Sequence, residues 1–250
     1  MHRLPVCGPE GPLRVDVTTP SPSTPGPEPE VPVRAVLFDF SGTLFQIRSY
    51  ADRIRAALPG AVDDAAMDHL LNGLEAGLAD PAVVAAQRAR DVSPEAHRRA
   101  FTTWYSSVPE LAPVAEVLYR QLKSPEHWRP YADAESTLKQ LADGGLALGI
   151  VSDVGWDLRR TFAHHGLDRF FGSWVHSYEH GTEKPDPVLF HRACDDLGVE
   201  PAATLMVGDH PAKDGGAVGA GLRSYVLPTG AAPGSSRGLA AVLRLARIKA

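Results

Sequence analysis

Cysteine is nearly missing from this chain: Cys7 and Cys194 are the only two in 250 residues. Two thiols are too few for a disulfide framework and lack metal-ligand spacing, so nothing points to an oxidising compartment. Lysine is scarce as well, contributing five of the 25 basic residues, at positions 123, 139, 184, 213 and 249. Each lysine is therefore worth locating. Clusters of Lys and Arg are absent and the formal charge is -5, which excludes the concentrated positive surface that nucleic acid or an anionic membrane requires. No run approaches the roughly 18 apolar residues of a membrane span, and the N-terminus lacks the apolar stretch of a secretory signal. The expectation is a cytoplasmic globular protein with a small neutral or anionic partner.

What the chain does have is segregated. The first 32 residues hold nine of the 22 prolines. Such a segment buries too little apolar surface to offset its ordering entropy, so residues 1–32 read as a flexible tail. Pro22-Ser23-Thr24-Pro25 has the spacing of a proline-recognition ligand, a match that arises easily in so Pro-rich a stretch. From Val33 the pattern changes to Val33-Arg34-Ala35-Val36-Leu37-Phe38, a nearly continuous apolar run ending in Asp39, as expected of a strand buried on both faces. Similar runs follow at Leu146 to Val151, Thr204 to Val207 and Leu222 to Leu227. Between and after them lie helical spacings at Ala134, Thr137, Leu138, Leu141, at Phe190, Ala193, Cys194, Leu197 and at Leu239, Val242, Leu243, Ala246. Strands alternating with helices predict an α/β fold, a Rossmann-like parallel sheet with helices on both faces. Gly144-Gly145 and Gly198 stand where left-handed helix caps want glycine.

The interval from Phe45 to Pro130 contains no comparable β run. Met67, Leu70, Leu71, Leu74 and Leu78 fall at helical spacing, and Asp80-Pro81, Ser93-Pro94 and Ser124-Pro125 pair an N-cap residue with proline at the first helical position. This interval reads as an all-helical insertion, and the domains divide as a core of 33–46 with 131–250 and an inserted domain of 47–130. Such an insertion would sit over the carboxyl ends of the strands, where an open α/β sheet binds its ligand.

Polar stations punctuate the ends of these strands and the starts of the helices. They are Asp39 in Asp39-Phe40-Ser41-Gly42-Thr43-Leu44, Ser152-Asp153, Lys184 before Pro185-Asp186-Pro187, and Asp209 with Asp214 in Gly208-Asp209-His210-Pro211-Ala212-Lys213-Asp214. In order and spacing they resemble the four motifs of the haloacid dehalogenase-like superfamily, and the helical insertion matches the position of that family's C1 cap. The resemblance covers roughly residues 33 to 230 and is specific to fold while weak on substrate.

The resemblance implies a Mg²⁺-dependent hydrolase, most directly a phosphatase of a small phosphorylated metabolite. Asp39 would be the nucleophile forming an aspartyl-phosphate, with Mg²⁺ held by Asp39, Asp209 and the Ser41 carbonyl and supported by Asp214. Ser152, Asp153 and Lys184 would bind the phosphoryl group, and hard oxygen ligands suit Mg²⁺. Taken singly, Ser152 and Asp214 are better explained as caps and Lys184 as a solvated surface charge. Jointly, such explanations would require a coincidence of order and position.

One departure from the family pattern matters. Its phosphatases carry a second Asp two residues after the nucleophile, and here that residue is Ser41. General acid-base assistance is worth about 10²- to 10⁴-fold, or roughly 3 to 5.5 kcal/mol, and a serine hydroxyl cannot shuttle the proton near neutrality. Four outcomes follow. They are hydrolysis of a substrate with a good leaving group or with a cap group replacing the acid, a metal-free dehalogenase, a phosphonatase, and a non-catalytic binding or regulatory protein. The Asp209 to Asp214 arrangement argues against the dehalogenase. A phosphonatase needs an early cap lysine, whereas the only Lys between Phe45 and Pro130 is Lys123.

Other residues invite a functional reading beside a packing one. Trp104, Tyr105, His127, Trp128 and Arg129 could line a pocket, though aromatic residues of small helical domains are more often core. His176 and His180 follow a strand rather than share a helix, so a zinc pair is not expected. His210 beside Asp209 could touch substrate, and Trp156-Asp157 should open the next helix near the site. Substrate identity and oligomeric state are not legible at this level.

Overall fold

Four consecutive residues with no room for polar side chains open the sheet: β1 (Ala35–Phe38) is buried on both faces. The computed structural model describes residues 31–228 and 235–247. After β1 come β2 (Phe45–Ile47), α1 (Tyr50–Ala57), α2 (Asp64–Gly77), α3 (Pro81–Gln87), α4 (Pro94–Ser106), α5 (Ala115–Lys123) and β3 (Trp128–Pro130). The chain continues through α6 (Ala134–Asp143), β4 (Ala147–Ser152), α7 (Arg159–His164), β5 (Ser173–His176), α8 (Ser177–His180), α9 (Pro187–Leu197), β6 (Thr204–Gly208), β7 (Arg223–Val226) and α10 (Ala240–Leu245).

Five strands form one parallel sheet in the order β5-β4-β1-β6-β7. The alternation of side chains splits its two faces between two apolar cores. Val36, Phe38, Ile150 and Val207 pack with Leu138 and Leu141 of α6 and Val242 and Leu243 of α10. Leu37, Val151 and Met206 pack with Leu189, Phe190 and Ala193 of α9. Helices thus cover both sides, as the periodicity predicts. Gly145 and Gly198 follow α6 and α9 with φ of +79° and +64°, the left-handed conformation their positions call for.

The insertion departs from expectation at its ends. β2 and β3 pair antiparallel, Phe45 opposite Pro130 and Ile47 opposite Trp128, so the segment from Phe45 to Pro130 is not all-helical. Three residues per strand are too few to show a period, and this hid them. The pairing closes the two chain ends on which α1 to α5 are carried. Within that segment Asp80 and Ser93 cap α3 and α4 as expected, accepting from Val83 N–H and Ala96 N–H respectively. Ser124-Pro125 opens only a single 3₁₀ turn, Pro125–His127. β5 is likewise absent from the four apolar runs, because Ser173, Trp174 and His176 break up its apolar content. His176 ends that strand and His180 lies on the short α8. The proline-rich residues 1–30, with Cys7 and the Pro22–Pro25 match, lie outside the described residues, as does Lys249.

Register decides where the chemistry sits. Phe38 pairs with Ile150 on one side and Val207 on the other. Asp39 extends β1 by donating its N–H to the Val207 carbonyl at 2.9 Å. Asp39, Ser152 and Asp209 therefore leave the sheet at the same edge, the carboxyl ends of three adjacent strands.

Candidate active site

All the sequence-predicted site residues, Asp39, Ser41, Ser152, Asp153, Lys184, Asp209 and Asp214, line one cavity of about 480 Å³. Lys184 is its electrostatic centre. The ammonium, delivered by the loop before α9, donates to Asp39 Oδ1 at 2.7 Å, Asp214 Oδ1 at 2.6 Å and the Val151 carbonyl at 3.1 Å. Asp39, Asp209 and Asp214 each offer an oxygen within 4.8 Å of the others. Asp214 uses its second oxygen to accept from the N–H groups of Asp209 and His210 at 3.1 and 2.9 Å. It therefore orients Lys184 and the Asp209 loop together. Two glycines make the approach possible: a methyl at Gly208 would lie 2.1 Å from Asp214 Cγ, and one at Gly42 would lie 2.1 Å from Asp209 Oδ2.

Three carboxylates and one ammonium leave the centre net negative. Burial pushes Asp39 up to about 7, with Lys184 opposing and Asp214 adding to the rise. Burial and the Asp214 charge also raise Asp209. Burial alone would lower Lys184, but Asp39, Asp214 and Asp153 outweigh it and hold the ammonium above its ordinary value. A divalent cation would relieve this excess of negative charge, and a set of hard carboxylate oxygens fits Mg²⁺.

Asp153 lines the cavity beside Ser152, and its carboxylate accepts from the Lys184 N–H at 2.9 Å and from Lys213 Nζ at 2.7 Å. Lys213, which also reaches Glu183 at 3.4 Å, was not singled out by motif. Asp133 and Arg237 were missed as well. Asp133 accepts from the N–H groups of Arg237 at 2.7 Å and Leu239 at 2.8 Å. The buried Arg237 guanidinium donates to the Gly42 carbonyl at 2.5 Å and the Pro228 carbonyl at 2.7 Å, tying the turn after Asp39 to a segment 195 residues away. No short sequence pattern could signal a bond of that span.

The insertion supplies the opposite wall. Tyr50, Phe101, Trp104 and Trp128 line it, and Trp156 faces them from the loop after β4. Trp104 and Trp128 are thus both core and pocket wall, each tied by its indole N–H to a carbonyl, Leu74 and Leu122, at 2.8 Å. Tyr105 is fully buried, and neither His127 nor Arg129 lines the cavity. His210 does line it, whereas Asp157 pairs with Arg159 at the surface. Lys123 stacks over the Tyr119 ring and does not line the cavity, which removes the lysine a phosphonatase would need. The 3₁₀ turn Arg90–Val92 docks on the core: Asp91 N–H donates to Glu183 Oε1 at 2.9 Å and Ser177 Oγ to the Asp91 carbonyl at 2.6 Å. His97 on α4 lies 3.6 Å from Asp91, and burial, aided by Arg90 and Lys123, lowers it to about 3, so its ring is neutral.

A parallel sheet with a lysine-bridged carboxylate cluster at its carboxyl edge and a helical insertion above it defines a class, and comparison with known proteins agrees. Residues 33–221 match the family described as haloacid dehalogenase-like hydrolase, and the chain belongs to that family. It is 36% identical over 118 residues to haloacid dehalogenase-like hydrolase domain-containing protein 3 of Bos taurus, a match covering 47% of each chain. It is 33% identical over 191 residues to glyceraldehyde 3-phosphate phosphatase of Methanopyrus kandleri, covering 73% of this chain and 78% of that one. The chain thus spans about half the length of the vertebrate relatives and more of the archaeal one. The solved L-2-haloacid dehalogenase of Xanthobacter autotrophicus superposes with a TM-score of 0.60 at 24% identity, covering 80% of this chain and 79% of that one, a likeness of fold. Among the described residues no helix is long and apolar enough to cross a membrane.

Proposed function

We propose that this hydrolase is a Mg²⁺-dependent phosphatase of a small phosphorylated metabolite, acting through an aspartyl-phosphate at Asp39, with residues 47–130 serving as its cap. The observation that carries the reading is the Lys184 ammonium between Asp39 and Asp214 with Asp209 alongside. That arrangement suits a dianionic phosphoryl group and is more acidic than displacement of a halide needs. Mg²⁺, held by Asp39, Asp209 and the Ser41 carbonyl, would supply charge neutralisation for in-line attack.

The chain's own groups do the rest. Lys184 holds the Asp39 carboxylate in one orientation and presents positive charge to the transferring group, and Ser152 donates to a phosphoryl oxygen. Asp214 fixes Lys184 and the Asp209 loop, while Asp153 with Lys213 fixes the backbone of Lys184. No carboxylate stands at position 41 to protonate the leaving oxygen, so the second reading, a protein that binds a phosphometabolite and turns it over poorly, rests on that specific residue. Incubation with radiolabelled acetyl phosphate and Mg²⁺ should label the wild type and leave Asp39→Asn unlabelled, with EDTA abolishing the signal. An unlabelled wild type that also fails to bind beryllofluoride would end the phosphatase reading; labelling that never clears would favour the binding protein.

A further inference from the structure

Two features of the cavity, independent of each other, bear on what leaves when Asp39 is phosphorylated. The first is Ser41, exposed at the cavity wall and standing at the position where the family resemblance implies an Asp that protonates the leaving oxygen. Without a donor the leaving group departs as an anion, so only a hydroxyl that is itself acidic leaves readily. The second is the wall that this group would face. Beyond the carboxylate cluster the cavity is bounded by rings, Tyr50, Phe101, Trp104, Trp128 and Trp156, and by the side chain of Leu78, half exposed at 50%.

The cations on that wall are already matched. Lys184 lies between Asp39 and Asp214, Lys213 pairs with Asp153 and Glu183, and Arg90 pairs with Asp91 at 3.3 Å. Asp209, with no cation paired to it among these lining residues, adds negative charge to the same lining. A substrate carrying a second anion, such as a carboxylate or another phosphate on its leaving portion, would find no unmatched positive side chain among these lining residues.

We propose that the substrate class is an aryl or enol phosphate monoester: a flat apolar group, uncharged beyond the phosphate, joined through an acidic hydroxyl. This deepens the phosphatase reading and rests on it. In the transfer the ester P–O bond breaks with its electron pair retained by the aryl oxygen, which leaves as phenolate, while a bond forms between phosphorus and an Asp39 carboxylate oxygen. Water then attacks phosphorus, releasing inorganic phosphate, restoring the carboxylate and giving its proton to solvent.

Phenyl and benzyl phosphate present the same ring on leaving groups of very different acidity. Wild type should favour phenyl over benzyl phosphate in kcat/KM by about 10²-fold or more, and Ser41→Asp should compress that ratio. Phenylphosphonate, which cannot be cleaved, should bind about tenfold or more tighter than methylphosphonate by calorimetry, reporting the ring wall alone. 4-Carboxyphenyl phosphate should be a poorer substrate than phenyl phosphate. Asp39-dependent labelling by acetyl phosphate in the same preparation separates the two levels. If labelling is absent, the phosphatase reading and this inference fall together. If labelling is present but benzyl phosphate rivals phenyl phosphate, the two phosphonates bind alike, or the carboxylated ester is preferred, this inference alone is overturned.

Discussion

The carboxylate of Asp209 occupies the space that a side chain at Gly42 would need. A methyl there would sit 2.1 Å from Asp209 Oδ2, and the backbone at Gly42 has a φ of +76°. Gly42→Ala is expected to lose roughly 1–3 kcal/mol of stability from the left-handed backbone and the displaced carboxylate. Its Mg²⁺ affinity should fall in parallel because Asp209 is pushed out of the cluster. Urea denaturation and a Mg²⁺ titration check this, and an unchanged midpoint with unchanged affinity would contradict it.

Lys184 is buried between two carboxylates, Asp39 and Asp214. Lys184→Met leaves Asp39 and Asp214 facing each other, and breaking a buried pair this way costs about 3–5 kcal/mol. Asp39, already raised by burial, then loses the charge that opposes the rise, so the lost stability should return as pH falls and its carboxyl becomes neutral. Denaturation at pH 5 and pH 8 should show a wild-type-to-variant gap that is larger at pH 8. A gap independent of pH would mean that Lys184 contributes packing rather than charge.

Asp39, raised from 3.8 to about 7, couples cation binding to pH. Because the folded value lies above the unfolded one, Asp39 adds stability to the cation-free protein that is complete below about pH 4 and lost as pH rises through about 7. Mg²⁺ requires the ionised oxygen, so its affinity should climb over the same window. Calorimetry at pH 6 in buffers of different ionisation heat should detect up to about one proton released per ion. No release at pH 6 would place the Asp39 carboxyl well below that value.

Gly155 lets the insertion close on the core. A methyl there would lie 2.3 Å from His97 Cβ and 2.5 Å from its Cγ, so Gly155→Ala must lift α4 away from the loop after β4. Misplacement on this scale can cost about 10²-fold in rate, and kcat/KM should fall toward that extent while Asp39 labelling by the small acetyl phosphate survives. Loss of labelling would show that the change reaches the carboxylate cluster instead.

The parts of this protein that were legible from its residues share a property. β1, β4 and β6 are apolar runs buried almost throughout, α6 and α9 carry one apolar stripe each, and both signals are local; β7 at the sheet edge is only half-buried and lies inside the run Leu222 to Leu227. β5 was obscured because Ser173, Trp174 and His176 break up its apolar content, and Ser173 is there for a tertiary partner, donating to Asp196 at 3.0 Å. β2 and β3 were obscured because their pairing joins residues more than 80 positions apart over a length too short for any period. The pairing of Asp153 with Lys213, 60 residues on, had no local signal either, since it depends on how two loops meet.

The amino-acid order determined the α/β alternation, the place of the helical insertion, and the identity and succession of Asp39, Ser152, Lys184, Asp209 and Asp214, since hydrophobic period and chain order act over a few residues at a time. It also determined that position 41 holds no acid. What tertiary structure decided was convergence: that strand register brings three chain ends to one edge, that Lys184 stands between two carboxylates rather than beside one, and that the wall above them is aromatic with its cations already matched. Those outcomes depend on distances between segments remote in the chain. Burial and Coulomb energy respond to such distances, and no local pattern encodes them.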